Sequence, residues 1–311
     1  MSFSSEQIQK ISKEISSKVN GKTLFDEFSR GRYSTDASVY QIKPLGVILP
    51  KDTNDVLSIM DYSQRNSIPL LARGGGSSQC GQTVGESVVL DYSKHQNKIL
   101  ELNVEEKYVW VEPGVVLDHL NEYLKPYGLW FPVDVSTSSR ATIGGMSANN
   151  SCGSRSLYYG NMVHNVLAIE AILDDGSIFT FDQIEKNYLE KKNNQDRLYK
   201  IIDKFIDVRQ KVASDIKDNW PTTQRRVGGY NIDLIDPNGF NSSNLLVGSE
   251  GTLSLFNKIK LKLSEIPKNK ILGVCYFDNF HQAMELSKEI VKLKPTCVEL
   301  MDQNLLNLAR E

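Results

Sequence analysis

The chain has 311 residues, of which 40% are hydrophobic and 24% charged, a balance typical of soluble globular proteins. Its 36 basic and 38 acidic side chains give a formal net charge of −2, so it lacks the basic excess of nucleic-acid-binding proteins. The four cysteines are far apart and form no CxxC pair, which argues against a zinc or iron–sulfur site and predicts no bound metal.

The first 40 residues predict a helical arm, because isoleucines recur at steps of three and four from Ile8 onward. From residue 41 to about 104, apolar runs and one amphipathic segment follow each other as a β-α-β unit with further short strands. The helix of this unit is expected over 53–62. The predicted strands cover 46–49, 68–71, 87–90 and 99–104.

A second unit, about 105–264, contains short strands, helices and a long turn-rich stretch over 132–160. An apolar strand over 166–173 and its return strand over 177–181 flank a hairpin turn. The other predicted strands are 108–111, 245–247 and 256–263, and the predicted helices are 117–124 and 198–216.

The last region, 265–311, predicts a strand, a helix and a second strand over 271–277, 280–293 and 296–300. A piece of about 45 residues cannot easily close a core of its own. We therefore expect it to be the beginning of a larger domain.

The segment RGGGSSQCG at 73–81 directly follows a predicted strand. Three consecutive glycines permit a close backbone approach, and successive N–H groups in such a turn form an anion-binding nest. The serine hydroxyls and the charge of Arg73 also suit a pyrophosphate. The P-loop pattern fails because Gln82 replaces its lysine, and the dinucleotide pattern GxGxxG fails at Gln79. A tight structural turn remains the alternative.

The stretch 132–160 is dense in hydroxyl, amide and glycine residues between strongly patterned strands. A long ordered loop inside a compact domain is usually functional. The backbone amides of Gly144 and Gly145 and the polar side chains around them could hold a polar cofactor. The alternatives are an elaborate structural loop here and, for the GSEGT turn at 248–252, a simple hairpin.

Three segments resemble, in order and spacing, the FAD-linked oxidase family with a PCMH-type (vanillyl-alcohol oxidase) flavin domain. They are RGGGSSQCG at 73–81, PVDVSTSSRATIGGMSANNSCG at 132–153 and GSEGTL at 248–253. The resemblance covers about 42–263 and implies an α+β fold. It implies a helical arm at 1–40, a PCMH-type FAD-binding domain at 41–264 with α/β subdomains at about 41–104 and 105–264, and the start of an α+β substrate or cap domain at 265–311.

Within that family, NNSCGSRSLYYGNMVHNV at 149–166 is similar to D-2-hydroxy-acid dehydrogenases that carry a C-terminal iron–sulfur region. The resemblance implies oxidation of a D-2-hydroxy acid, of the D-lactate or D-2-hydroxyglutarate class, by hydride transfer to flavin N5. The electrons would leave through an iron–sulfur region, a quinone, a cytochrome or a flavoprotein, expected outside this chain.

The resemblance also assigns cofactor contacts, residue by residue, to the matching positions. They are Arg73, Gly74, Gly75, Gly76, Ser77, Ser78, Gly81, Gln82, Pro132, Asp134, Ser138, Ser139, Thr142, Gly144, Gly145, Ala148, Asn150, Gly153, Tyr159, Gly160, Val166, Glu250 and Gly251. No histidine occupies the first loop, where some family members attach the flavin, so we expect non-covalent FAD. Arg225 and Arg226 precede VGGYN at 227–231, which resembles the family's segment ahead of the GSEGTL turn, and either could fix a substrate carboxylate. Arg226 is the expected substrate contact of the two, with Tyr230 and Asn231 expected beside it in the wall of the active site.

The family's catalytic histidine lies in a later HxGDGN-like motif that this sequence does not contain, so the base is expected beyond Glu311. Two alternatives stay open: a flavin-binding fragment or subunit without activity of its own, and another flavin-dependent alcohol oxidoreductase. The polar first 20 residues and the lack of a long apolar run predict neither a signal peptide nor a transmembrane helix. We expect a cytoplasmic protein and leave open peripheral membrane association and a homo-oligomer.

Overall fold

The computed structural model describes residues 3–185, 196–223 and 225–310. The helices in these ranges are α1 (Ser5–Ser16), α2 (Glu27–Arg32), α3 (Thr53–Asn66), α4 (Leu117–Leu124), α5 (Ile143–Asn149), α6 (Ser156–Tyr159), α7 (Met162–Asn165), α8 (Arg197–Lys211), α9 (Ala213–Asn219), α10 (Phe280–Lys292) and α11 (Gln303–Leu308). The strands are β1 (Lys22–Leu24), β2 (Gly46–Leu49), β3 (Leu70–Arg73), β4 (Val88–Asp91), β5 (Ile99–Asn103), β6 (Tyr108–Val111), β7 (Leu129–Trp130), β8 (Val166–Ile172), β9 (Ile178–Phe181), β10 (Gln183–Glu185), β11 (Gly239–Asn241), β12 (Leu255–Lys262) and β13 (Ser264–Glu265).

The first sheet has the order β1-β2-β4-β3, and β2, β4 and β3 run parallel. All four residues of β4 are buried, as expected for a parallel sheet covered on both faces. Helix α3 makes the crossover between β2 and β3, and Asp52 caps it by accepting the amide N–H of Asn54. The expected helical arm holds α1 and α2 and also β1, which pairs antiparallel with β2.

The second sheet is antiparallel, with the order β5-β6-β12-β8-β9. Its central strand β12 pairs with β6 on one side and β8 on the other. Helices α4 and α5 pack on it through Leu120 and Ile143, both fully buried. The two sheets share a core boundary, because Ile172 of β8 and Leu255 of β12 also belong to the apolar cluster of the first sheet.

Several predicted elements differ from the structure. The strand predicted over 245–247 is replaced by a 3₁₀ helix, Ser242–Leu245, whose N-terminus is capped by Asn241. The helix predicted over 198–216 is divided at Val212 into α8 and α9. The turn-rich stretch 132–160 contains the helices α5 and α6. The sequence does not predict them, because the stretch is rich in glycine and serine.

The strands predicted over 271–277 and 296–300 do not form, although α10 does. Strand structure requires a neighbour to complete its hydrogen-bond ladder, and among the described residues none pairs with these segments. Their apolar side chains are accordingly open to solvent, with Ile271 99% exposed.

Asp55, which is 1% exposed, joins the arm to α3. Its carboxylate accepts the amide N–H groups of Asn20 at 2.7 Å, Gly21 at 2.8 Å and Lys51 at 2.8 Å. This one side chain therefore satisfies three backbone donors.

We predict that Asp55→Ala lowers the free energy of unfolding by about 1–3 kcal/mol, because it removes the one acceptor that these three backbone donors share in part-buried hydrogen bonds. Urea denaturation measures the change. The control is Asp61→Ala on the exposed face of the same helix, expected to change stability by about 0.5 kcal/mol or less. Equal effects of the two substitutions would contradict the bridging role of Asp55.

Candidate functional site

A cleft of about 470 Å³ lies between the loop that follows β3, the segment ahead of α5 with α5 itself, and the turn at 248–251. The chain thus brings the three sequence motifs to one place. The predicted cofactor contacts that line it are Arg73, Gly74, Gly75, Gly76, Ser77, Ser78, Gln82, Thr142, Gly144, Gly145, Ala148, Asn150, Glu250 and Gly251.

The glycine loop packs against the residues ahead of α5 with no space for side chains. A Cβ on Gly74 would lie 2.0 Å from Thr142 Oγ1, and one on Gly75 would lie 2.3 Å from the Arg140 carbonyl oxygen. Gly76 adopts a φ of +63°, which favours glycine. The backbone of the loop is therefore exposed along one wall of the cleft.

Arg73 uses its guanidinium to hold the N-terminal arm against the loop. Nη1 donates to the carbonyls of Tyr33 and Thr83, and Nη2 donates to the carbonyl of Thr35. The group also lies over the Tyr33 ring, 5.2 Å from its centroid. Burial lowers the pKa of Arg73, against the attraction of Asp91. Its predicted contact with a pyrophosphate stays a prediction.

Helix α5 presents its N-terminus to the cleft. Thr142 is the N-cap, and its Oγ1 accepts the amide N–H of Gly145 at 3.3 Å. At the other end Asn150 ends the helix with a φ of +55°, and its Oδ1 accepts the amide N–H of Val163 at 3.0 Å. The Asn150 Nδ2 donates to Asn231 Oδ1 at 3.4 Å, which links α5 to the segment ahead of the GSEGTL turn.

Glu250, in the turn at 248–251, forms hydrogen bonds to the other two walls of the cleft, α5 and the segment that follows the glycine loop. It has a φ of +52°, and its Oε1 accepts from Asn149 Nδ2 at 2.8 Å and from Gln82 Nε2 at 3.4 Å. Burial raises the pKa of its carboxyl, an effect partly offset by these two hydrogen bonds. The cleft therefore contains an acid whose neutral form is favoured relative to water.

The remaining predicted contacts lie outside the cleft walls: Gly81, Pro132, Asp134, Ser138, Ser139, Gly153, Tyr159, Gly160 and Val166. Asp134 illustrates what this set does, because its carboxylate accepts from Ser154 Oγ at 3.0 Å and from the Arg155 amide at 3.1 Å. Gly153 packs directly on the Asp134 carbonyl, and Tyr159 packs edge-on against Trp130. They support the loop after α5, and their contact with a cofactor stays a prediction.

The predicted substrate contacts line a second cavity of about 290 Å³, together with His164 and Trp220. Arg226 Nη2 lies 2.7 Å from Asp233 Oδ2. Asn231 Nδ2 donates to the Val247 carbonyl at 2.7 Å, and the Tyr230 hydroxyl bonds to Thr252 Oγ1. The arrangement does not bring these residues to the cleft walls.

His164 lines this second cavity and remains exposed to solvent. Its Nδ1 accepts the Asn161 amide N–H at 3.0 Å, which assigns the ring proton of the neutral form to Nε2. Burial lowers the pKa of His164, and the charge of Arg226 lowers it further. The imidazole is thus neutral over a wider pH range than a solvated histidine.

Sequence reasoning did not find two of the cleft residues, Tyr92 and Ser254, whereas Cys152 lies in the motif at 132–153 and Arg225 adjoins the predicted Arg226. The hydroxyls of Tyr92 and Ser254 are buried and have no hydrogen-bond partner in the part of the chain that the structure describes. Buried hydroxyls without partners, next to the exposed backbone of the glycine loop, fit a polar ligand that supplies the missing hydrogen bonds. No motif marks Tyr92 or Ser254, because each stands alone in an apolar or turn segment.

Among residues 3–185, 196–223 and 225–310, no cluster of three or more His, Cys, Asp or Glu side chains is arranged to hold a metal ion. Of the helices in those same ranges, none is both long enough and apolar enough to cross a membrane.

Comparison with known proteins places residues 44–182 in the family described as FAD binding domain. The chain is 35% identical over 301 residues to a D-2-hydroxyglutarate dehydrogenase of Escherichia coli (strain K12), covering 94% of this chain and 29% of that protein. It is 30% identical to glycolate oxidase subunit GlcD of Bacillus subtilis (strain 168), covering 95% of this chain and 54% of that one. A solved structure of alkyldihydroxyacetonephosphate synthase superposes with a TM-score of 0.63 at 16% identity, covering 93% of this chain and 50% of that one.

Residues 44–182 therefore match an FAD binding domain, and FAD is the cofactor, as the motifs predicted, whereas its non-covalent attachment stays a prediction. The mixed helix and sheet content confirms the α+β class, while the subdomain and domain limits stay predictions. The chain spans about 29% of the length of the D-2-hydroxyglutarate dehydrogenase it matches.

We predict that Gly75→Ala weakens FAD binding at least about tenfold, because its Cβ cannot fit beside the Arg140 carbonyl without moving the loop. The flavin-to-protein ratio after gel filtration and a fluorescence titration with FAD measure the loss. Gly31→Ala, where a Cβ meets nothing within 4 Å, is the matched control. A Gly75→Ala protein that retains a full complement of flavin would refute the role of the loop.

A second prediction concerns pH. The folded-state pKa of Glu250 is raised, so the fold favours its protonated form, and stability declines as pH rises through that raised pKa. FAD in this cleft would bring its negative pyrophosphate near Glu250, so we expect FAD affinity to fall by about fivefold as pH rises through that raised pKa and Glu250 ionises.

Glu250→Gln keeps the acceptor for Asn149 and removes the charge. Fluorescence titrations with FAD at a series of pH values, from the ordinary pKa of a glutamate at about 4.3 upward, should give a flatter pH dependence for this variant than for the wild type. Identical pH profiles would show that Glu250 does not titrate against the cofactor.

Proposed function

We propose that the chain is the FAD-binding part of a dehydrogenase that oxidises a D-2-hydroxy acid of the 2-hydroxyglutarate or lactate class. The observation that carries this proposal is the convergence of three FAD-linked oxidase motifs on one cleft. The identity to D-2-hydroxyglutarate dehydrogenases extends over 94% of this chain, which supports that acid as the first candidate.

Within the proposal, the glycine loop and the N-terminus of α5 hold the pyrophosphate. Backbone N–H groups of both elements and the Ser77 and Ser78 hydroxyls supply the donors. Glu250 and Gly251 lie at the flavin ring. Because the loop offers serines where a linking histidine would stand, the cofactor is held without a covalent bond.

Oxidation of a 2-hydroxy acid requires a base for the hydroxyl proton, a cation for the carboxylate and restricted access of water. FAD held in the cleft would supply the acceptor for the hydride that leaves the carbinol carbon. No described histidine lines the cleft, and His164 belongs to the second cavity. This chain's own contribution is therefore to bind and orient the cofactor and the acid.

The absence of a histidine from the described cleft walls also favours a second candidate function, flavin binding without catalysis by this chain alone. One experiment separates the two: the FAD-loaded chain is mixed anaerobically with D-2-hydroxyglutarate or D-lactate.

We expect the visible absorbance of the oxidised flavin to bleach with the D-acid and to persist with the L-enantiomer. Bound flavin that no 2-hydroxy acid bleaches would exclude catalysis by this chain and leave the binding function alone.

A further inference from the structure

The segment at 225–228 separates the cleft from the second cavity, and its side chains alternate between them. Arg225 and Val227 line the cleft, whereas Arg226 and Gly228 line the second cavity. This is the behaviour of an extended chain, in which successive side chains point to opposite sides. The adjacent residues Arg225 and Arg226 therefore line two different cavities.

The positive charge of Arg226, in the second cavity, is already neutralised by an ion pair. Arg226 is paired with Asp233 at 2.7 Å, and its carbonyl accepts from Asn161 Nδ2 at 3.3 Å. An anion bound there would have to displace or outweigh a partly buried carboxylate. Arg226 is thus a poor choice as the cation that receives a substrate carboxylate.

The cleft contains two cations among the described residues, Arg73 and Arg225. Both Nη groups of Arg73 donate hydrogen bonds to backbone carbonyls. Arg225 donates only its Nε, to Cys152 Sγ at 2.7 Å, and its two Nη groups have no partner among the described residues. Arg225 is exposed, and it therefore offers a guanidinium whose two Nη groups are open to a ligand, a pair of donors that can bind a carboxylate in bidentate fashion.

Arg225 lies near the GSEGTL turn, where the proposed function puts the flavin ring. Its partner Cys152 lies two residues beyond Asn150, which contacts Asn231 of the segment following Arg225. A Cβ on Gly248 would lie 3.1 Å from the Gly229 carbonyl oxygen and 3.3 Å from Asn150 Cβ, so the GSEGTL turn packs on the same segment.

We propose that Arg225, and not Arg226, binds a carboxylate of the 2-hydroxy acid, with Cys152 holding the guanidinium in place. This assignment rests on the proposed function. It names Arg225 as a residue that determines specificity for carboxylate substrates, since an alcohol without a carboxylate would not make this charge-assisted contact.

The test uses the FAD-loaded chain and 2-oxoglutarate, the oxidation product of 2-hydroxyglutarate, which keeps both carboxylates and cannot reduce flavin. Its binding is followed by the change it causes in the visible spectrum of the bound flavin. Arg225→Met should raise the Kd of 2-oxoglutarate at least about tenfold, equal to about 1.4 kcal/mol. Arg225→Lys keeps the charge but loses the paired guanidinium donors, so its Kd for 2-oxoglutarate should lie between those of Arg225→Met and the wild type.

Arg65→Met removes an exposed arginine of α3 and is the matched control, expected to leave both the Kd and the FAD content unchanged. Unchanged FAD affinity in Arg225→Met separates loss of the acid contact from damage to the site. A 2-oxoglutarate Kd in Arg225→Met equal to that of the wild type, or a larger loss in Arg226→Met, would overturn the assignment while leaving the proposed function intact. A wild-type protein that neither binds 2-oxoglutarate nor is reduced by D-2-hydroxyglutarate would overturn both.

Discussion

The cleft depends on the contact between the glycine loop and the residues ahead of α5. The loop extends from β3 of the first sheet, whereas Thr142 and α5 belong to the core of the second sheet. At Gly74 and Gly75 the two segments approach more closely than any side chain permits. The same contact that forms one wall of the FAD site therefore also joins the two halves of the fold, and only glycine allows it.

The sequence predicts the first sheet well, because strands buried on both faces are continuous apolar runs. The run predicted at 46–49 is β2 as observed, and the strand ahead of the glycine loop is displaced by only two residues. Helix α5 is missed because Gly144, Gly145 and Ser147 have poor helix propensity. Its stability comes from the Thr142 cap and from burial of its apolar side chains, neither of which local composition reveals.

For the site, the motifs identify the backbone that faces the cleft. They do not show which of the surrounding side chains line the cleft and which only support its loops. Asp134 belongs to the motif and yet supports a loop from outside, whereas Arg225 belongs to no motif and lines the cleft. The choice between Arg225 and Arg226 depends on which side of an extended segment each faces. That direction accompanies the contact of Arg225 with Cys152 and the ion pair of Arg226 with Asp233, tertiary contacts that the pattern of letters does not supply.

The placement of the cleft between two cores has a thermodynamic consequence. The halves are otherwise joined by the shared apolar boundary at Ile172 and Leu255 and by a hydrogen bond of 2.7 Å between Thr53 Oγ1 and Asn257 Oδ1. A ligand that contacts the loop of one half and α5 of the other binds only when both are folded and docked, so its binding energy stabilises their union. Under the proposed function, FAD held in this cleft would link the two sheets as well as serve as the redox group, and the Glu250 bridge to Gln82 and Asn149 spans the same junction.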